Sequence, residues 1–160
     1  MSDINPQNSF KPNAAPLSVR IAECALLIVL MVVSAFIRIP IPYVPITFQT
    51  VVAVLAGLLL GAKWGAASVA IYVFMGLLGL PVFTAGGGFA YVFELTFGYI
   101  LGFVAAAFFA GLARGKGRLT LARAVVASLI GVAANYIVGI PYFMLIWKFY
   151  MHLGGMANAL

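Results

Sequence analysis

The chain has 160 residues, of which 65% are hydrophobic and only 8% are charged. A soluble domain is typically about 45–50% apolar and about 25% charged, so this composition predicts an integral membrane protein. Its continuous apolar runs are much longer than a β-strand and indicate an all-α membrane protein rather than a barrel. The net charge of +6 comes from basic residues in short loops, where they set membrane orientation, so nucleic acid is not expected as a partner.

Residue types that carry chemistry are scarce. With one cysteine, Cys24, and one histidine, His152, the sequence offers no internal disulfide and no cysteine or histidine metal cluster. Glu23 and Glu94 lie far apart, and no nucleophile is accompanied by a base. The sequence therefore predicts no enzyme activity, no metal and no cofactor.

The amino-terminal part divides into a tail and a first span. Residues 1–18 are polar, contain three prolines and lack a signal-peptide layout, so we expect a disordered cytoplasmic tail before one transmembrane domain at residues 19–160. The first span is predicted at residues 21–37, and the proline-rich residues 40–45 favour an extended chain after it. Thr47 and Gln49 follow. An amide this close to hydrocarbon needs partners, either in a ligand site or in interfacial water.

Two short apolar runs come next, at residues 45–60 and 66–80. The first has 16 residues, or about 24 Å of helix, slightly less than the ~30 Å core of a bilayer. Between the two runs lie Gly61, Lys63, Trp64 and Gly65, a tight turn with a basic and an aromatic interface anchor. This arrangement predicts a helical hairpin that packs closely through glycines.

The segment of residues 80–102 differs from an ordinary connection. Pro81 ends the preceding helix, and the three glycines at 86–88 are followed by aromatic residues at 89, 91, 93, 97 and 99. Glycine lets a backbone approach a ligand, and aromatic rings supply apolar walls with polar tips. We interpret the segment as the wall of a small-molecule pocket. An interfacial loop with an aromatic belt is the alternative that these residues leave open.

The fourth and fifth spans are predicted at residues 95–112 and 124–146, with a basic loop between them. Pro141 interrupts the fifth span, and Asn135 and Tyr136 lie inside it. These two polar side chains should face protein or a cavity, as ligand contacts or as an interhelical hydrogen bond. Residues 147–160 are predicted to be an exposed interface segment.

The basic residues predict the orientation. With the amino terminus in the cytoplasm, seven basic residues face inward and only Arg38 and Lys148 face outward, as the positive-inside rule requires. The inward residues are Lys11, Arg20, Lys63, Arg114, Lys116, Arg118 and Arg123. Thr47, Gln49, the glycine loop and the Asn135–Tyr136 pair then converge at the outer face, which favours a ligand site there.

Three motifs resemble the BioY family, the biotin-binding S components of energy-coupling factor (ECF) transporters. They are IPIPYVPITFQT at 39–50, LLLGAKWGAASVAIYVFMGLLGLPVFTAGGG at 58–88 and FGYILGF at 97–103. The likeness extends over about residues 20–145. It implies an S-component helical bundle in the plasma membrane that takes up biotin. Its implied partners are biotin, membrane lipid, a transmembrane coupling subunit and two ATPase subunits.

By motif position, the resemblance also implies the site. The implied biotin-binding residues are Thr47, Gln49, Phe83, Gly86, Gly87, Gly88, Tyr91, Tyr99, Asn135 and Tyr136. In this interpretation Thr47, Gln49 and glycine amides bond the ureido and carboxylate groups, while aromatic rings pack on the fused rings and acyl chain. Ile21 and Ala25, four residues apart on the first helix, are the implied contacts with the coupling subunit.

The sequence also departs from the family pattern. The family's sixth helix carries an Asp and a Lys thought to contact biotin, and no such segment is found before Leu160, so five spans are expected and the sequence is either truncated or lacks that helix. Gly87 and Ile100 stand where some members have Asn and Arg. The alternatives are an S component for another vitamin, a membrane enzyme acting on lipid, and a structural membrane protein without small-molecule transport.

Overall fold

The structure is a computed structural model that describes residues 16–39, 46–115, 117 and 119–157. Its elements, in chain order, are α1 (Leu17–Phe36), β1 (Arg38–Ile39), β2 (Ile46–Thr47), α2 (Gln49–Leu77), a 3-10 helix (Phe89–Phe93), α3 (Phe97–Arg114) and α4 (Leu121–Ala157). Each of the four α-helices in this part of the chain is long and apolar enough to cross a membrane. The predicted all-α membrane bundle is confirmed.

Helix α2 is a hairpin of two arms rather than one straight rod. Gly61 interrupts it with a φ of 81°, a backbone conformation that glycine adopts at little steric cost. Beyond this bend the second arm returns along the first. The close approach is seen at Gly65, where an added Cβ atom would lie only 2.6 Å from the carbonyl oxygen of Ala56. In a straight helix these two residues would be more than ~10 Å apart. The predicted hairpin is therefore confirmed, but its turn is limited to Gly61 and does not extend to Gly65.

The bend leaves carbonyl oxygens at the end of the first arm without helical partners, and Arg114 binds them. Its guanidinium donates to the carbonyl oxygens of Leu58, at 2.5 Å, and Leu59, at 2.7 Å. Unpaired backbone groups in hydrocarbon cost several kcal/mol each. Because Arg114 is the last residue of α3, this contact also fixes the end of α3 to the bend.

Basic residues gather at this end of the bundle, which we call the basic end. The guanidinium of Arg20, in the first turn of α1, lies 5.8 Å from the centroid of the Trp64 ring. Lys63 follows the bend, and Arg123 lies in the first turn of α4. The residues predicted to face the cytoplasm and described by the structure thus share one end.

Helix α3 is at the centre of the bundle. It packs against both α2 and α4, whereas α1 packs mainly against α2. Ala106, Ala107 and Ala110 are fully buried along it. Lipid is as apolar as the helices themselves, so close van der Waals contact through small residues is a main source of attraction between them.

Some boundaries differ from the predictions. Helix α4 continues through Pro141 to Ala157, so the predicted end of the fifth span at residue 146 is wrong. Trp147, Lys148 and Phe149 are exposed, as predicted for the segment after it, but they belong to the same helix. Proline removes one backbone hydrogen bond, but membrane helices tolerate it because neighbouring groups satisfy the freed carbonyl. Helix α1 begins at Leu17, just inside the predicted tail. The rest of that tail up to residue 15, and the proline-rich residues 40–45, lie outside the described residues.

The close approach of the two arms of α2 can be tested at Gly65. We expect Gly65→Val to lower the free energy of unfolding by about 1–3 kcal/mol, because the added carbon atoms overlap the backbone of the first arm. The thermal midpoint of the detergent-purified protein should fall by several degrees. Ala67→Val adds carbon at an exposed position of the same arm and should change the midpoint little. Equal midpoints for the two variants would contradict the hairpin contact.

Candidate functional site

A cavity opens at the end of the bundle opposite the basic end, and we call it the polar cavity. Its volume is about 80 Å³. The described residues that line it are Thr47, Gln49, Thr50, Thr84, Thr96, Tyr99, Ile100, Phe103, Asn135 and Tyr136. None of these residues is charged, and most carry a hydroxyl or an amide. The polar cavity is therefore suited to a neutral group that forms hydrogen bonds.

Local structure brings these side chains together from distant parts of the chain. Strands β1 and β2 pair antiparallel, with Arg38 opposite Thr47, and α2 begins two residues later at Gln49. Thr96 lies directly before α3, and Tyr99 lies in its first turn. Asn135 and Tyr136 come from the middle of α4. The polar cavity thus lies where the starts of α2 and α3 face the side of α4.

Gln49 is held in the cavity wall by a buried chain of hydrogen bonds. Its Nε2 donates to the hydroxyl of Tyr72, at 2.5 Å. The Tyr72 hydroxyl donates in turn to the carbonyl oxygen of Val82, at 2.9 Å. Gln49 and Tyr72 are both buried, and they lie on opposite arms of α2. These two hydrogen bonds therefore fix the position of the Gln49 amide and join both arms of α2 to the segment after it, at Val82.

Two threonines of the wall are held from behind by Tyr91. The hydroxyl of this buried tyrosine lies 3.0 Å from Thr84 Oγ1 and 3.4 Å from Thr96 Oγ1. A hydroxyl can donate one hydrogen bond and accept others, so one phenol can serve both threonines. Tyr91 thereby links the segment after α2 to the start of α3.

Asn135 presents an acceptor that has no partner. The residue is 2% exposed, and its Oδ1 has no hydrogen-bond partner among the described residues. Gly102 of α3 lies directly against this oxygen, where any Cβ would overlap it. A buried acceptor left unpaired costs about 1–3 kcal/mol. Asn135 also lines the polar cavity, so this oxygen is a candidate acceptor for a donor bound there.

Two aromatic rings form the apolar side of the polar cavity. Tyr99 and Tyr136 meet edge to face with their centroids 5.9 Å apart. The Tyr99 ring packs directly against α4 at Gly139. A Cβ atom on Gly139 would lie only 2.5 Å from the ring, so a larger residue would not fit at this position. Tyr136 is 46% exposed, whereas Tyr99 is partly buried, so Tyr136 is the wall residue nearer the surface.

The glycine loop shapes the cavity from outside its wall. The amides of Gly86 and Gly88 donate within the protein, to the carbonyl oxygens of Phe83 and Gly76. Both glycines have positive φ, at 116° and 111°, where other residues are strained. Gly87 lies against the backbone of Leu80 without room for a side chain. These contacts give the loop its shape, and a direct contact of its glycines with a ligand stays a prediction.

The structure brings half of the predicted site residues together. Thr47, Gln49, Tyr99, Asn135 and Tyr136 line the polar cavity. Phe83, Gly86, Gly87, Gly88 and Tyr91 lie behind this wall, and the Phe83 ring is buried against Tyr72 and Tyr91. Sequence analysis did not single out Thr50, Thr84, Thr96 and Phe103 as site residues, nor Ile100 as part of the wall. Hydroxyl residues at the ends of apolar runs were the available signal for the three threonines.

The predicted partner contacts lie on the surface of α1. Ile21 and Ala25 are both exposed on α1, where a partner subunit could reach them. Within the described residues, no group of three His, Cys, Asp or Glu side chains is placed to hold a metal ion.

Comparison with known proteins identifies the family. A profile described as the BioY family matches residues 7–160. A probable biotin transporter BioY of Lysinibacillus sphaericus is 45% identical over 119 residues, which cover 74% of this chain and 61% of that protein. A probable biotin transporter BioY of Pyrococcus horikoshii is 43% identical over 116 residues, covering 72% of this chain and 68% of the relative. The chain thus spans about three fifths to two thirds of the length of these relatives.

The fold agrees with this family. A crystal structure of the S-component for biotin from an ECF-type ABC transporter superposes with a TM-score of 0.71. The two chains are 26% identical, and the match covers 80% of this chain and 72% of the other. The bundle therefore has the S-component architecture, and with a family profile matching nearly its whole length the chain belongs to the BioY family.

Proposed function

We propose that this chain binds biotin in the polar cavity and acts as the substrate-binding subunit of an ECF-type biotin transporter. The observation that carries the proposal is the uncharged, hydroxyl-rich wall that includes Asn135, whose Oδ1 has no hydrogen-bond partner among the described residues. The ureido ring of biotin has two N–H donors and one carbonyl acceptor. Asn135 accepts from one N–H group, and threonine hydroxyls serve either the second N–H or the carbonyl.

The dimensions of the polar cavity indicate how biotin lies in it. Ligand sites generally have volumes of at least about 300 Å³, and the polar cavity has about 80 Å³. The ureido ring therefore enters first, while the fused sulfur ring packs on Tyr99 and Tyr136. The carboxylate-bearing chain extends through the mouth. Closing the site over it requires a shift of Tyr136, which is half-exposed.

The proposed role involves no chemical change of biotin. Capture at the cavity precedes release into the cell, which is driven by ATP hydrolysis on the two ATPase subunits of the transporter. The transmembrane coupling subunit binds the exposed face of α1 around Ile21 and Ala25. The relatives named as biotin transporters, and the solved S-component, support this assignment.

The orientation follows from charge. Arg20, Lys63, Arg114 and Arg123 lie at the basic end, and the positive-inside rule places such an end in the cytoplasm. The amino terminus is then cytoplasmic, and the polar cavity opens toward the outer face. This orientation gives the cavity access to extracellular biotin.

We expect the detergent-purified protein to bind biotin with a stoichiometry near one in titration calorimetry, and to give no binding heat with thiamine or riboflavin. The reason is the match between the wall of amides and hydroxyls and a ureido ring. Binding of another vitamin instead of biotin would indicate an S component of different specificity. The absence of binding to all three compounds would favour a structural membrane protein and overturn the proposal.

A substitution at Asn135 separates binding from folding. Asn135→Leu keeps the approximate shape and removes the unpaired acceptor, so the affinity for biotin should fall about tenfold or more. Without biotin, the thermal midpoint should not fall, because a buried unsatisfied group has been removed. Ser128→Ala, on the same helix but outside the cavity wall, is the control and should leave the affinity unchanged. A parallel loss of stability and affinity in Asn135→Leu would indicate a purely structural asparagine.

The proposed partner surface is tested at Ala25. We expect Ala25→Trp to prevent co-purification with the coupling and ATPase subunits while leaving biotin binding intact, because the bulky ring blocks close helix contact. Leu26→Trp is the matched control, since Leu26 is 63% exposed but points about 100° away round the helix. Co-purification of the Ala25→Trp variant at the normal yield would exclude this face as the contact.

A further inference from the structure

Biotin carries a charge for which the polar cavity has no partner. A carboxyl group with a pKa of about 4–5 is ionised at neutral pH, and an unpaired carboxylate is costly to remove from water. The described residues that line the cavity are uncharged. A cation for the ligand carboxylate must therefore come from the rim, if this part of the chain supplies one.

Arg38 is next to the cavity wall on two sides. In the two-stranded sheet it lies directly opposite Thr47, which lines the cavity. Its Nη1 donates to the carbonyl oxygen of Thr84, at 2.9 Å, and Thr84 also lines the cavity. Arg38 itself is exposed, so its guanidinium lies at the protein surface beside the backbone of Thr84.

The other described cation at this end of the bundle has a different environment. Lys148 borders a groove with Phe93, Leu145, Ile146 and Phe149. None of these residues belongs to the wall of the polar cavity. Lys148 is therefore a basic residue at the same end of the bundle that does not border the polar cavity, and it serves as a control for Arg38.

We infer that Arg38 is the specificity-determining cation that binds the carboxylate of the ligand in the polar cavity, an inference that rests on the proposed function. A guanidinium has five N–H donors in a fixed fork, and the described contact with Thr84 uses one nitrogen. Donors remain for a carboxylate at the cavity mouth, where the acyl chain of biotin emerges. The same bond to Thr84 restrains the side chain beside a wall residue of the cavity and reduces the entropy that binding would otherwise cost.

The alternative is that Arg38 only fastens the sheet to the segment after α2. Both roles would make its removal harmful to biotin binding, so biotin alone cannot separate them. Biotinamide can, because it keeps the ureido and sulfur rings and the chain but has no negative charge. If Arg38 is a counter-ion, its replacement lowers the affinity for biotin only. If Arg38 only fastens the sheet, its replacement lowers the affinity for both compounds equally.

The experiment is calorimetric titration of the purified protein and the variants Arg38→Gln, Arg38→Lys and Lys148→Gln with biotin and with biotinamide. For Arg38→Gln we expect biotin affinity to fall about ten- to a hundredfold, as for other hydrogen bonds to charged groups, and biotinamide affinity to stay within about twofold. Arg38→Lys keeps the charge without the fork and should lose less biotin affinity than Arg38→Gln. Lys148→Gln should bind both compounds like the unmodified protein. Retained binding of biotinamide also shows that a variant is folded.

Each other outcome overturns the inference. Equal losses for biotin and biotinamide in Arg38→Gln identify a fastening residue, and unchanged biotin affinity excludes any role in the site. Equal biotin losses in Arg38→Gln and Arg38→Lys exclude recognition through charge. Failure of the unmodified protein to bind either compound would instead refute the proposed function itself.

Discussion

Lipid offers no hydrogen bonds, so the polar groups inside this bundle depend on partners within the protein. The bonds from Gln49 to Tyr72 and from Tyr72 to the carbonyl of Val82 meet that requirement. They join residues that are 23 and 10 positions apart, and so they hold the two arms of α2 and the next segment in one arrangement. Because Gln49 also lines the polar cavity, the interaction that stabilises the hairpin also orients part of the site.

The two ends of the bundle are built differently. At the basic end, the backbones of α2 and α3 are in direct contact. A Cβ atom on Gly57 would overlap the carbonyl oxygen of Ala107, and one on Gly111 would overlap the backbone of Ala62. At the opposite end, hydroxyls, amides and open volume separate the helices. Close packing transmits strain and resists local change. The open volume that our proposed ligand would occupy thus lies at the end opposite these close backbone contacts.

The sequence predicted most of the architecture, because long apolar runs, Gly61 and the positions of basic residues are local signals. It predicted the site only in part. Gln49 was predicted as a ligand contact, but its bond to Tyr72 exists only once the hairpin folds. Phe83 was assigned to a ligand wall, yet its ring fills the space over Gly76, where no side chain could fit. Such contacts depend on helix packing, which periodicity does not record. The fifth span was predicted to be interrupted at Pro141, but the tolerance of a helix for proline also depends on neighbouring helices.

Asn135 lowers stability at the site that we propose for the ligand. A buried acceptor without a partner reduces stability by about 1–3 kcal/mol, and Oδ1 of Asn135 has no hydrogen-bond partner among the described residues. Gly102 makes this possible, because any larger residue there would overlap that oxygen. The contact between α3 and α4 at this depth is thus arranged around one amide. In the proposed function, a ligand donor that reaches Oδ1 removes this cost and thereby contributes to the binding free energy. Functional sites commonly hold such locally unfavourable groups, and the tight packing elsewhere compensates for them.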